Sequence, residues 1–407
     1  MSFDFTVERN SAKWVLGADG YLKEYIADAP AIEFNADGSY KGVLVEPQSV
    51  NEAKASEDLD NATYWDTASR TTIAGDTETD PKGGTNSFLL SETAISNNFY
   101  FITESAHRPS VASGETWTSS IFVKKGDGAN APDIVQLTYQ TATFGTQYAN
   151  FDISVGGGTS GTVTDSSGGT GRIRYYGNGW YRISFTATST GVGIAYVLLG
   201  FTNNNPTATR LPSYAGQTDA NVFIWGAQLE ESPIATSYIP TTTGAVTRVK
   251  GDIYLTSASS LIGQTEGTLF VEVDWRLTSG TSQYILTASD GTPINRILIF
   301  NRNSPIQLRM YVAANNSELT NQGQSSTAYT GIQKFAFAYA ENDFELYRNG
   351  SSISSDTSGS LASLGTLTTV DFGQSNGASL QANMWIRAVA LFTTRLSDAE
   401  CEALTTI

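Results

Sequence analysis

Along much of the chain, apolar and polar residues alternate one by one. Tyr181, Ile183 and Phe185 fall on one face of an extended segment, with Trp180, Arg182 and Ser184 on the other. Further on, Leu269, Val271, Val273 and Trp275 alternate with Phe270, Glu272, Asp274 and Arg276. A period of two, broken by Gly, Asn and Ser, predicts antiparallel β-structure. Strand-length runs recur at Phe99 to Thr103, Trp117 to Lys125, Ile134 to Thr143, Trp180 to Thr188 and Val222 to Leu229. A second series follows at Arg296 to Phe300, Gln307 to Val312, Phe335 to Tyr339, Phe344 to Tyr347 and Met384 to Phe392. After it, Ser397 and Glu400 stand at capping-box spacing. They predict a one- or two-turn helix that carries Cys401 and turns Ala403 and Leu404 toward the sheets.

Breaks in the pattern divide the chain. Residues 1–50 read as short extended pieces around two turn signals, Ala18-Asp19-Gly20 and Ala36-Asp37-Gly38. Such an arm is too small to bury a core alone and must lie on something else. Residues 51–247 and 248–407 each hold enough strands for a sandwich. Between them the apolar run Val222 to Trp225 gives way to acids, then to a Thr-rich stretch punctuated by Pro233 and Pro240, which reads as a link. Proline fixes φ and denies ladder hydrogen bonds there. Gly156 to Gly171 is rich in Gly, Ser and Thr and reads as a loop with little to bury. The expectation is an all-β protein of two antiparallel, jelly-roll-like β-sandwich domains in tandem, with a short N-terminal β arm and a short C-terminal helix.

Composition narrows the partners. The 407 residues include 40% hydrophobic residues and 38 glycines, with a formal net charge of −16 and few of the residues that favour helices. So acidic a chain lacks the cationic footprint that nucleic acid or an anionic membrane surface requires. A single cysteine, Cys401, rules out an intrachain disulfide framework. The opening MSFDFTVERN has no secretory-signal pattern, and no apolar run is long enough to span a membrane. Folding in a cytoplasm is the expectation.

Several motifs occur in a fixed order: Gly42-Val43-Leu44-Val45-Glu46, Asn61-Ala62-Thr63-Tyr64-Trp65, Gly177-Asn178-Gly179-Trp180-Tyr181-Arg182-Ile183-Ser184, and Trp225-Gly226-Ala227-Gln228-Leu229-Glu230 leading to Tyr238-Ile239-Pro240-Thr241. This series resembles the carbohydrate-binding-module-like unit of tailed-phage tail-fibre, tail-spike and minor tail proteins, over roughly residues 10–248. The C-terminal part resembles the concanavalin A-like, laminin-G-like sandwich, through Glu345-Leu346-Tyr347-Arg348-Asn349-Gly350, Phe372-Gly373, Met384 to Phe392 and Leu396-Ser397-Asp398-Ala399-Glu400. The resemblance implies a virion component, assembled in a host cytoplasm beside other virion proteins as a homotrimer, that recognises host cell-surface polysaccharide.

That second family includes glycan-cleaving enzymes, so catalytic residues must be sought. Glu272 and Asp274 project to one strand face with Cα atoms about 7 Å apart. The laminarinase-type strand of that family reads E-x-D-x-E, and retaining hydrolysis needs two carboxyls about 5 Å apart. Here the third position is Arg276, so the set is incomplete, and no catalytic residue is nominated. His107, the only histidine, precedes Arg108-Pro109 and reads as a surface residue; a zinc site of the usual kind lacks ligands.

Asp76, Glu78 and Asp80 alternate acids as calcium loops do, but Pro81 and Ser87 break the EF-hand pattern. They are the weak candidates for Ca²⁺, the only cofactor in view. Sugar rings stack on aromatic faces with polar neighbours taking their hydroxyls. Trp65, Trp117, Tyr175, Tyr176 and Arg174 are therefore the glycan-binding candidates, with Tyr175 and Tyr176 expected to be exposed beside the Gly-rich loop and Arg172. Trp180, Trp225 and Trp385 are expected to pack. The leading expectation is a tail fibre or adhesin that binds glycans without catalysis. The alternatives are a purely structural tail, collar or head-decoration protein and a tail-spike depolymerase.

Overall fold

In the computed structural model the described residues are 5–154, 163–166, 168–276, 282–325, 330–376 and 381–407. They build an all-β architecture of two sandwiches, in which every strand pairing is antiparallel.

The first sandwich has two six-stranded sheets. One runs Val163–Asp165, Tyr148–Asp152, Ile134–Thr138, Leu198–Phe201, Phe101–Glu104, Trp65–Asp66; the other runs Gly169–Gly177, Trp180–Thr188, Thr116–Lys125, Asn221–Glu230, Ser87–Glu92, Thr71–Asp76. Their inner faces supply one core, with Ile121, Ile183, Phe185 and Ile224 opposite Ile102, Leu137, Phe151 and Leu199. Each Ile or Phe so buried contributes about 1.5–3 kcal/mol relative to exposure. The second sandwich has two seven-stranded sheets, with Leu269, Val271, Val273 and Phe337 facing Ile297, Ile299, Met310 and Phe372. The alternation read in Trp180–Thr188 and Gly267–Trp275 places the core residues on the expected faces.

The arm does not stand apart. Thr6–Glu8 pairs with Asp252–Leu255 at the edge of one sheet of the second sandwich. Tyr40–Val45 pairs with Met384–Phe392 in the other sheet, and Ile32–Phe34 closes its edge. Between these pieces, Lys13–Leu16 and Leu22–Tyr25 form a hairpin through the Asp19-Gly20 turn. Its Leu16 and Leu22 pack on Phe122, Trp180, Trp225 and Tyr238 of the first sandwich, while Val15 packs on Leu44 and Trp385. The arm thus covers outward faces of both sandwiches, as a segment without its own core must.

Two motif glycines have a backbone reason. Gly226 sits at φ +63 opposite the register shift between Ser120 and Phe122, and a Cβ there would press on Phe122 and Tyr238. Gly42 has φ +147, and a Cβ would meet the Ile386 carbonyl oxygen at 2.8 Å. Only glycine occupies such positions without strain.

The structure departs from the sequence pattern in four places. The strand expected to reach Thr143 ends at Thr138, and a single helical turn, Thr141–Phe144, follows. That turn brings Phe144 into the core, stacked on Tyr139 at 4.4 Å, which a continuing strand could not do. The terminal helix, Asp398–Thr405, starts at Ser397, whose backbone N–H and hydroxyl both donate to the Glu400 carboxylate. Cys401, Thr405 and partly Leu404 face the sheet, but Ala403 is exposed, because the helical period turns it away. The first half of the Thr- and Pro-rich link is packed, with Ile234, Thr236, Ser237, Tyr238, Ile239 and Thr241 all buried, while Thr242, Thr243 and Thr247 are exposed. The Gly156–Gly171 loop lies partly outside the described residues; its described parts, Val163–Asp165 and the start of Gly169–Gly177, are strand.

Candidate functional site

Period-two geometry turns Ile173 and Tyr175 of strand Gly169–Gly177 into the first core, so Arg172, Arg174 and Tyr176 face outward. On the neighbouring strand Arg182 and Ser184 share that outward face, with Arg172 paired to Ser184 and Arg174 to Arg182. Opposite stand Trp385 and Arg276 of the second sandwich. Trp385 faces outward between the core residues Met384 and Ile386. The two walls enclose an open crevice of about 500 Å³, floored in part by Ile234 and Ala235 of the buried link.

The wall is held by ion pairs and stacked cations. Arg174 pairs with Glu33 and donates to the Phe34 carbonyl at 3.2 Å. Burial pulls its guanidinium down, but Glu33 outweighs that and holds it above the ordinary value. The other Glu33 oxygen accepts the Trp385 indole N–H at 2.7 Å. Lys41 lies 4.0 Å from the Trp385 ring centroid, Arg276 5.0 Å and Arg174 5.6 Å; Arg174 also lies 4.9 Å from the Tyr176 ring. Such contacts stabilise by about 0.5–2 kcal/mol each, depending on desolvation. Arg276 reaches Glu46 at 3.2 Å and the Ala235 carbonyl at 2.6 Å. Arg182 donates to the Thr236 carbonyl and Ser120 Oγ. Arg172 is exposed, and no hydrogen bond or ion pair engages it among the described residues. Crowding of its guanidinium by protein atoms, then the like charge of Arg276, lower its pKa.

Behind this wall Glu46 is fully buried and shared by Lys13 at 3.3 Å, Arg248 at 3.4 Å and Arg276 at 3.2 Å. It also accepts the Ser237 N–H at 3.0 Å and the Ser237 hydroxyl. Burial favours the neutral acid, but Arg248, Lys13 and Arg276 outweigh it, and Glu46 lies well below the usual carboxylate range. Burial likewise pushes Lys13 down to about 7. In the first sandwich, Glu104 is equally buried, and the backbone N–H groups of Val197, at 2.9 Å from its Oε2, and of Lys54 face it, with no ion pair to it among the described residues. Burial pushes it up to about 7, with the Val197 and Lys54 N–H groups, then the charges of Arg108 and Lys54, offsetting only part of the effect.

Of the sequence candidates, the crevice brings together Arg174 and Tyr176. Contrary to expectation, Tyr176 is mostly buried and packs edge-on to Phe122 at 5.0 Å. Tyr175 is half-buried against the core, its hydroxyl accepting the Gly179 N–H. The reason is strand parity: adjacent residues cannot share one face, and the arm covers what the core does not. Trp65 and Trp117 are core side chains whose indole N–H groups bond Ala55 O and Glu115 Oε2. Trp180, Trp225 and Trp385 are buried as expected, yet Trp385 also lines the crevice. Sequence reasoning passed over Arg182, Arg276 and Trp385. For Arg182 a signal was there, because it alternates with Tyr181 and Ile183 and so shares the outward face; for Arg276 and Trp385 there was none.

The acidic loop does not converge. Asp80 accepts the backbone N–H groups of Lys82, Gly84 and Asn86, Asp76 accepts that of Glu78, and Glu78 pairs with Lys124 at 2.9 Å. Among the described residues no group of three or more His, Cys, Asp or Glu is placed to hold a metal ion. Glu272 is engaged by Arg387 at 2.6 Å and Asp274 by Lys41 at 2.7 Å. His107 is exposed beside Tyr64. No described helix is long and apolar enough to cross a membrane.

No protein-family model matches the chain, and no curated protein does. Solved structures with some likeness include the CBM40 of a Ruminococcus gnavus IT-sialidase, at 15% identity and TM-score 0.31 over 36% of this chain and 86% of that one. Domains LG4-5 of the mouse laminin alpha1 chain match at 10% identity and TM-score 0.25 over 75% and 90%. Trypanosoma rangeli sialidase matches at 12% identity and TM-score 0.31 over 78% and 60%. At these identities and scores the likenesses carry no argument about ligand, activity or origin. The β-sandwich architecture rests on the sheets themselves.

Proposed function

We propose that this protein recognises glycans without cleaving them, as a tail fibre or related adhesin of a virion. The observation that carries the reading is the crevice between the sandwiches. It is open, large enough for one or two sugar units, and combines apolar floor, aromatic wall and converging guanidinium donors. The virion setting rests on the ordered motifs of the sequence, as does the homotrimer, in which weak sites would gain by repetition. A non-catalytic role is supported by Glu272 and Asp274, whose carboxylates are engaged by Arg387 and Lys41, with Arg276 in the third position.

The test is retention of purified protein on an array of bacterial and animal surface glycans, with reducing ends assayed in parallel. Retention of a defined subset without reducing-end release is expected. Release of reducing ends that disappears in Glu272→Gln would replace this reading with a depolymerase. Incorporation into particles without retention of any glycan would replace it with a purely structural role.

A further inference from the structure

We infer that the crevice takes an anionic sugar unit, one bearing a carboxylate or a sulfate. The inference rests on the glycan-binding reading and adds the class of sugar. Its first support is a local reversal of charge. The chain carries 40 acidic residues against 24 Lys and Arg, yet the crevice is lined by Arg172, Arg174, Arg182 and Arg276 and, among the described residues, by no carboxylate. The acids behind the wall are already committed. Glu33 answers Arg174, and Glu46 divides its charge among Lys13, Arg248 and Arg276. Arg172 and Arg182 have no ion-pair partner among the described residues, and the like charge of Arg276 acts on Arg172 more strongly than Asp165, the carboxylate that offsets it.

The second support is an unmet donor. Arg182 is 6% exposed, lines the crevice, and its Nε–H has no hydrogen-bond partner among the described residues. A buried, unpaired donor on a charged group is costly, and an anionic oxygen relieves it. Guanidinium forks match the planar oxygens of carboxylate and the tetrahedral oxygens of sulfate, and each charge-assisted bond outweighs a neutral one. The third support is that the same walls are not wholly polar. Ile234, Ala235, Tyr176 and Trp385 offer a surface for the C–H face of a ring. A net charge of −16 opposes extended polyanions such as nucleic acid, so a single anionic unit within a larger, sparsely charged glycan fits best.

The experiment is calorimetric titration with two single anionic units, methyl galacturonoside and sulfated N-acetylgalactosamine, each beside its neutral counterpart, methyl galactoside and unsulfated N-acetylgalactosamine. We expect an anionic form to bind, its neutral counterpart to bind at least about tenfold more weakly, and affinity to fall as NaCl is raised. Which anionic form binds identifies the group. Arg172→Glu is expected to weaken that binding about 10- to 100-fold, while the thermal midpoint stays unchanged because the side chain is exposed and unbonded. Arg172→Gln carries the same test without reversing charge, should the first variant disturb folding. Equal binding of anionic and neutral forms, or full binding by both variants, would overturn the inference and leave the glycan reading standing. Absence of binding by these probes would overturn the inference, and absence of retention on the broad array as well would overturn the glycan reading with it.

Discussion

Glu46 and Glu104 are both completely buried glutamates, and they titrate in opposite directions. Glu46 lies at the seam where arm, link and second sandwich meet, with three cations within 3.4 Å. Glu104 lies in the first sandwich facing only the backbone N–H groups of Val197 and Lys54, with cations that act at a distance. Desolvation is the largest influence on both. The difference lies in how many fixed donors the fold brings to the carboxylate. The seam is an electrostatic joint that requires a charged acid, while the sandwich tolerates an acid by letting it take up a proton near neutrality.

The strongest way to break this comparison is Glu46→Gln. It leaves Lys13, Arg248 and Arg276 without their shared counter-charge, and a loss of about 3–5 kcal/mol in urea unfolding is expected. A loss below about 1 kcal/mol would mean that the seam is solvated in solution. Next is Glu104→Gln. Because the folded pKa of Glu104 is raised from 4.5 to about 7, the native state holds an extra proton between those values. The stability this confers is complete below about 4.5 and disappears as pH rises through about 7. Gln keeps the acceptor for the Val197 N–H but does not titrate. The variant should therefore gain on the wild type by roughly 2–3 kcal/mol in going from pH 5 to pH 8, and a constant difference across that range would refute the burial account.

Lys13→Met sharpens the seam side. Glu46 retains two arginines, so the change at pH 7 should be about 1–2 kcal/mol or less. The wild type should gain stability as pH rises above about 7, because the unfolded chain then binds the proton that buried Lys13 releases. That slope, read from urea midpoints at pH 7 and 9, should shrink in the variant. The smallest effect is expected from Arg172→Gln: it should change stability by less than about 0.5 kcal/mol, with thermal melts the measurement.

Much of this was legible in the sequence, for a definable reason. Alternation at Tyr181, Ile183 and Phe185 and at Leu269, Val271 and Val273 is enforced by the strand itself, so it predicts faces reliably. The motif residues Glu46, Gly226, Glu230 and Tyr238 were recognisable by order, and the fold explains why. Glu46 binds Ser237, Glu230 binds Ser49 and Thr236, and Tyr238 packs on Trp225 and Phe122. What could not be read is which outward faces would be covered again. Tyr176 and Arg182 look solvent-facing by parity, and only the packed arm and link bury them. The crevice depends on this second layer, because Arg276 and Trp385 lie more than ninety residues from the strand they face. No local pattern encodes that meeting.

The sheets of the second sandwich carry a consequence for how the chain is made. Thr6–Glu8, Ile32–Phe34 and Tyr40–Val45 emerge from the ribosome long before Asp252–Leu255 and Met384–Phe392, the strands they pair with. Through most of synthesis these early strands have no ladder to join, while the first sandwich can already close on itself. Completion of the second sandwich is therefore a late, long-range docking step of the slow kind. A fragment beginning after the first sandwich would lack those strands and expose Met384, Trp385 and Ile386 as a bare, apolar edge open to pairing with its own copies. Expression trials of such a fragment should yield aggregate, and supplying residues 5–46 in trans should restore solubility.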